Sequence, residues 1–154
     1  MTKDRAQHDS FTIERVIDAP VARVFAAWAD PAAKARWFVG PPGQWQEYSR
    51  RMDFRVGGIE HVSGRHAGGM VSTFNAHYHD IVPDQRIIYA YEMDLDGKKI
   101  SVSLATVDFV GEGAQTRMIF TEQVVFVNGY VDAGSRLMGT EGLMDRIMAY
   151  LKAA

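Results

Sequence analysis

Over residues 11–17 apolar and polar side chains alternate, the period-two pattern of a strand with one buried face. The spacing then lengthens. Pro20 suits the first position of a helix, where its missing N–H costs nothing, and Val24, Phe25 and Trp28 fall on one helical face. Asp30 is placed to cap a second short helix that starts at Pro31 and closes on Trp37 and Phe38, with Lys34 and Arg36 expected in solvent. Gly40-Pro41-Pro42-Gly43 forbids its continuation.

Beyond Gln44 the period-two pattern dominates. Residues 46–56 alternate up to Gly57-Gly58, which forces a turn or bulge before a further strand over 59–63. Residues 64–69, bounded by glycines, read as a flexible loop, and 71–82 as a long strand ended by Pro83-Asp84. Strands over 86–93 and 100–110 flank Asp96-Gly97, a two-residue hairpin signal. Gly111-Glu112-Gly113 makes the next tight connection, and 116–127 supplies the last of about seven strands.

Asn128-Gly129 breaks the pattern, and Asp132 is a suitable cap for a helix running to about Leu151. Its apolar stripe is read as Leu137, Met138, Met144, Ile147, Met148 and Leu151. Gly139 and Gly142 lie inside this helix, where each costs about 1 kcal/mol relative to alanine. With Ser135 they share one face, which either admits another backbone or a bound molecule or is simply a tolerated surface. One strand, two short helices, six strands and a long helix predict an α+β helix-grip fold, a curved antiparallel sheet around the C-terminal helix. The runner-up, a ferredoxin-like sandwich, needs a second long helix in mid-chain, and none is visible.

Composition narrows the functional classes. A chain of 154 residues suits one domain over 10–154, with 1–9 expected as a loose tail. Seventeen basic residues against nineteen acidic ones leave a formal charge of −2 without a basic block, which argues against a nucleic-acid partner. The absence of cysteine removes disulfides, thiolate metal sites and a cysteine nucleophile. No apolar run approaches the ~20 residues that span a bilayer, and the polar start lacks a signal-peptide core, so no membrane is expected and a cytoplasmic location is the simplest reading. No glycine-rich phosphate loop and no G-x-S-x-G elbow are present, so no cofactor is implied and a hydrolase triad is unsupported.

Several segments resemble the Hsp90 ATPase activator homologue-like family of the Bet v 1/START-like (SRPBCC) superfamily, and together they cover nearly the whole chain from Phe11. They are Arg15-Val-Ile-Asp-Ala-Pro20, Asp30-Pro31 with Arg36-Trp37-Phe38, and Asp53-Phe-Arg55-Val-Gly57-Gly58. Tyr78-His-Asp-Ile-Val-Pro83, Arg86-Ile-Ile-Tyr-Ala-Tyr91, Thr116-Arg117-Met118 and Gly139-Thr-Glu-Gly142-Leu143 complete the set. Where many relatives carry Gly-Trp in the last helix, this chain has Gly142-Leu143. The resemblance implies a seven-stranded sheet wrapped on the last helix with a pocket between them. Members include co-chaperone domains, carriers of hydrophobic ligands and polyketide-cyclase-like enzymes, so fold does not select among activities.

Alternation on the strands names a wall for that pocket. Phe74 with Tyr78, Tyr89 with Tyr91, Phe109 with Val107, and Met118 with Phe120 and Glu122 would each share a face. Trp37, Phe38, Leu137 and Met138 would join them, making either a ligand-binding surface or a filled core. Glu122 is the one catalytic candidate: a carboxylate among Met118 and Phe120 would be partly desolvated, its pKa raised toward proton transfer. Its structural alternative is a salt bridge to Arg117 or Arg51. Arg15, Arg51, Asp53 and Arg55 suggest ion pairs between the first strands. His77 and His79 share a face opposite Phe74 and Tyr78, hence outward, and no metal site is assigned to them or to His61 and His66. The expected function is therefore a small soluble domain that binds a hydrophobic or aromatic small molecule. A cyclase- or hydratase-type enzyme using Glu122 or Tyr78, and a chaperone regulator acting through its outer surface, are the alternatives. A weak homodimer through a sheet edge or helix face is a further expectation.

Overall fold

Alternating side chains give the sheet an apolar inner face and a polar outer one, and the long final helix covers the inner face. In this computed structural model, which describes residues 4–153, the elements are β1 (Gln7–Ile17), α1 (Val21–Ala29), α2 (Pro31–Trp37), β2 (Trp45–Met52), β3 (Ile59–His66), β4 (Val71–Val82), β5 (Arg86–Leu95), β6 (Lys98–Glu112), β7 (Gln115–Phe126) and α3 (Ser135–Ala153). The strands form one antiparallel sheet in the order β1-β7-β6-β5-β4-β3-β2. The expected α+β helix-grip architecture is therefore present, with two short helices after the first strand. No helix among the described residues is long and apolar enough to cross a membrane.

Local chemistry accounts for the junctions. Asp30 Oδ1 accepts from the Ala32 N–H and caps α2, whose first residue is Pro31. Asp96 and Gly97 both adopt positive φ, 50° and 80°, as a tight two-residue hairpin between β5 and β6 requires. Asp132 accepts from the Arg136 N–H at the start of α3.

Three expected boundaries move by more than two residues. β1 begins at Gln7, because Gln7–Asp9 pair with Val124–Phe126 while their side chains stay in solvent and leave no alternation to read. Residues 1–3 of the expected tail lie outside the described residues. β2 ends at Met52 instead of 56, where the Asp53 N–H turns to the Ile59 carbonyl and the chain tightens around Gly57 and Gly58. The loop expected at 64–69 begins later: β3 runs through Gly64 to His66 because the Trp45 ring lies on Gly64, where a Cβ would stand 2.2 Å from Trp45 Cε2.

The core lies between the sheet and the helices. Trp28 and Trp37 stack edge to face at 4.7 Å, and Trp28 lies over Phe120 at 6.3 Å. On α3 the buried stripe is Thr140, Met144, Ile147 and Leu151.

Candidate functional site

Core packing fails to close in one place. A cavity of about 460 Å³ opens between α3, the inner faces of β3 to β7 and the α2–β2 connection. Eight aromatic side chains line it: Trp28, Phe38, Trp45, Phe74, Tyr89, Tyr91, Phe120 and Tyr130. Gly139 and Gly142 of α3 also line it, and a Cβ added at Gly139 would meet no atom within 4 Å. The small helix face thus turns toward the cavity.

At one end of the cavity the alternation of β5, β6 and β7 converges Tyr91, Ser103 and Glu122 on a single point. Glu122, fully buried, accepts from the Tyr91 hydroxyl at 2.7 and 2.8 Å and from Ser103 Oγ at 2.8 Å. The Arg136 guanidinium of α3 closes the cluster. Its Nη1 donates to Glu122 Oε2 at 3.0 Å, to Ser103 Oγ at 3.1 Å and to the Tyr91 hydroxyl at 3.2 Å, and its Nη2 donates to Ser101 Oγ at 2.5 Å. Burial pulls the Arg136 pKa down, but Tyr91, Glu122 and their hydrogen bonds outweigh it and leave it raised. Burial, then the Glu122 charge, pushes the Tyr91 hydroxyl far above its ordinary value. The result is a polar floor, neutral in sum, beneath apolar walls.

A second acidic cluster lies deeper, behind the ring layer. Lys34 Nζ and the Tyr78 hydroxyl both donate to Glu60 Oε1, at 2.6 and 2.5 Å, and all three residues are buried. The Lys34 ammonium sits 4.5 Å from the centre of the Phe38 ring. Burial lowers its pKa against the opposing pull of Glu60. This overturns the expectation that Lys34 is solvated: it lies on the α2 face that carries Trp37, and that face is buried. Arg36 is exposed, as expected.

Of the residues read from the sequence, Phe38, Phe74, Tyr89, Tyr91, Phe120, Glu122 and Met138 line the cavity, Met138 at its mouth with 71% exposure. Five others do not. Trp37 is sealed against Trp28, Tyr78 is bound to Glu60, and Phe109 packs on Phe25. Met118 accepts from Trp28 Nε1 through its sulfur, and Leu137 stands off the buried stripe of α3. The salt-bridge partner of Glu122 is Arg136, since Arg117 points to the outer face and pairs with Glu14 and Glu112. Arg15 pairs across to Asp145 of α3, whereas Arg55 and Asp53 pair within one turn. His77 and His79 face outward. On that same outer face Ser49, His61 and Asn75 form a hydrogen-bonded chain, with 2.7 Å at each step, and it does not reach the cavity.

Sequence reasoning missed Arg136, Ser101, Ser103, Lys34 and Glu60. Helical spacing carries the signal for Arg136: it extends the buried 140/144/147/151 stripe by one turn. Ser101 and Ser103 share strand parity with Ala105, Val107 and Phe109.

With this geometry in hand, similarity to known proteins becomes informative. The family model described as Activator of Hsp90 ATPase homolog 1-like protein matches residues 18–154. A solved structure from Rhizobium leguminosarum is 48% identical, covering 99% of this chain and 100% of that one, with a TM-score of 0.93. The Mll3558 protein of Rhizobium loti is 39% identical over 95% of this chain and 99% of its own, with a TM-score of 0.86. CalU16 of Micromonospora echinospora, 18% identical over 96% and 84% with a TM-score of 0.66, shares the fold. Comparison with curated proteins gave no match.

Proposed function

The chain belongs to the Activator of Hsp90 ATPase homolog 1-like family, and on that premise we propose that it binds an apolar or aromatic small molecule in the cavity between the sheet and α3. The observation that carries this reading is the cavity itself, about 460 Å³ with eight aromatic side chains lining it and a hydrogen-bonded polar floor. Small-molecule pockets span roughly 300–1,000 Å³ and pair apolar walls with a few placed polar groups. Affinity would come from apolar surface removed from water, at ~25 cal/mol per Å². Tyr89, which lines the cavity and whose hydroxyl has no hydrogen-bond partner among the described residues, is available to orient the ligand.

The test is a panel of aromatic ketones, aromatic acids and lipids, read by native mass spectrometry and thermal shift. Binding by some members, lost in Gly139→Phe, supports the reading, because a phenyl group at that position would occupy the open space. Absence of any bound species or stabilisation across the panel would overturn it.

A second reading draws on one specific contact, the hydrogen bond between the Tyr91 hydroxyl and the Glu122 carboxylate on the cavity wall. It makes the protein an acid/base enzyme of the cyclase or hydratase type. Turnover of any polyketide- or enone-class compound should then fall by about 10²-fold or more in Glu122→Gln and in Tyr91→Phe. Unchanged turnover in both variants removes it.

A further inference from the structure

Besides His66, whose ring is hydrogen-bonded to Ser72, four charged side chains line the cavity, and three of them have partners. Glu122 and Arg136 pair on the floor. Asp132 accepts from the Gly134 and Arg136 N–H groups at the start of α3, where the helix end favours negative charge. The fourth is Arg146. Its guanidinium makes no hydrogen bond or ion pair with any described residue, and its Nε is buried without an acceptor. The carboxylate beside it in sequence, Asp145, is engaged with Arg15.

The helix glycines explain how this cation reaches the cavity. Gly142 lies one turn before Arg146 on the same face, and a Cβ there would stand 3.4 Å from Arg146 Nη1. Without that Cβ the guanidinium has room to lie along α3, and Gly139 leaves open space beyond it. A half-buried guanidinium with an unanswered buried donor is a standing cost to the fold. Its planar fork matches a carboxylate, which could take two parallel hydrogen bonds. The floor cannot select such an anion, because the charge of Arg136 is already answered by Glu122.

We propose that the ligand of this cavity is an amphipathic organic anion, its apolar body between α3 and the aromatic wall and its carboxylate on Arg146. This rests on the ligand-binding reading above and adds to it the ligand's charge and its direction of entry. The body goes in first, and the charged end stays with α3.

Two matched pairs of probes test it by calorimetry: naphthylacetate against its primary amide, and dodecanoate against dodecan-1-ol. Each pair keeps the apolar body and changes only the head. The native protein should prefer each anion by at least about tenfold, the size of one charge-assisted hydrogen bond. Arg146→Gln should erase that preference while the neutral probes bind as before, and Arg146→Lys should retain part of it. Thermal melting of each variant confirms that the fold is intact. Equal affinities within both pairs, or a preference that survives Arg146→Gln, would overturn the anion subsite and leave the cavity reading standing. If none of the four probes binds, the anion subsite is overturned, and the cavity reading is decided by the wider panel.

Discussion

Glu60 on β3 and Glu122 on β7 are both buried on the inner face of the sheet, both bonded to a tyrosine hydroxyl and both paired with one cation. They differ in how completely they are satisfied. Arg136 spreads its donors over Glu122, Ser103, Tyr91 and Ser101, and both carboxylate oxygens of Glu122 are engaged. Lys34 offers a point charge to one oxygen of Glu60, the Tyr78 hydroxyl goes to the same oxygen, and Oε2 is left buried without a partner. A planar fork can organise a network, whereas an ammonium answers a single atom. The satisfied cluster faces the cavity, and the unsatisfied one is sealed behind rings. We read the first as part of a binding surface and the second as packing that tolerates a charge pair.

The largest predicted effect separates the two cations. Glu122→Gln leaves a guanidinium that keeps its charge, so stability should fall by about 3–5 kcal/mol in urea unfolding near neutral pH. Glu60→Gln strands an ammonium whose pKa burial already lowers, and Lys34 can shed its proton instead. Its loss should be smaller, and it should shrink as pH rises toward the ordinary lysine value of 10.5. Equal losses with no pH dependence would break the distinction.

A smaller effect of opposite sign follows from the orphaned oxygen. Replacing the deep cluster as a unit, Lys34→Met with Glu60→Leu and Tyr78→Phe, removes two buried charges and the unsatisfied acceptor together. Exchanges of that kind are neutral or stabilising by about 1–4 kcal/mol. The parallel exchange, Arg136→Met with Glu122→Leu, strands the hydroxyls of Tyr91, Ser101 and Ser103 and should destabilise. If both exchanges stabilise, the cavity floor is no better satisfied than the deep pair.

The fold was legible because proline, glycine and alternation punctuate almost every element. The cavity wall was legible only in part, for a physical reason. Strand parity states which face a side chain takes and not how far along the sheet it lies, so Phe74 and Tyr78 share a face while only Phe74 reaches the cavity. On α3 the true stripe runs through Arg136 and Thr140, and an apolar count passes over both in favour of Leu137 and Met138. The charge of Lys34 argues for solvent, whereas its position on α2 argues for burial. It stands three residues before Trp37, on the face that α2 buries. Neither glutamate's partner is close in sequence to it, and pattern alone carries no distance between elements.

The finest test compares the two tyrosines through alkaline unfolding. Burial raises the pKa of Tyr78, Tyr89 and Tyr91 above the ordinary 10.0, reinforced for Tyr78 by the charge of Glu60 and for Tyr91 by that of Glu122. Below about pH 10 both folded and unfolded chains hold these protons, and the stabilisation is fully present. Above it the unfolded chain releases them while the folded chain keeps them, so stability falls by about 1.4 kcal/mol per pH unit for each tyrosine. Lys34 works the other way: its lowered pKa makes stability rise with pH until about 10.5, where that gain ends. Tyr78→Phe and Tyr91→Phe should each remove about a third of the steep alkaline slope, measured by urea unfolding between about pH 9 and about pH 12. At neutral pH the two should part by about 1 kcal/mol, with Tyr91→Phe the costlier. After that change Glu122 Oε1 is left without a donor, whereas Glu60 Oε1 without Tyr78 still holds Lys34. Equal costs at neutral pH would make the two acidic clusters equivalent, and a slope unmoved by either variant would mean that these hydroxyls are not buried as described.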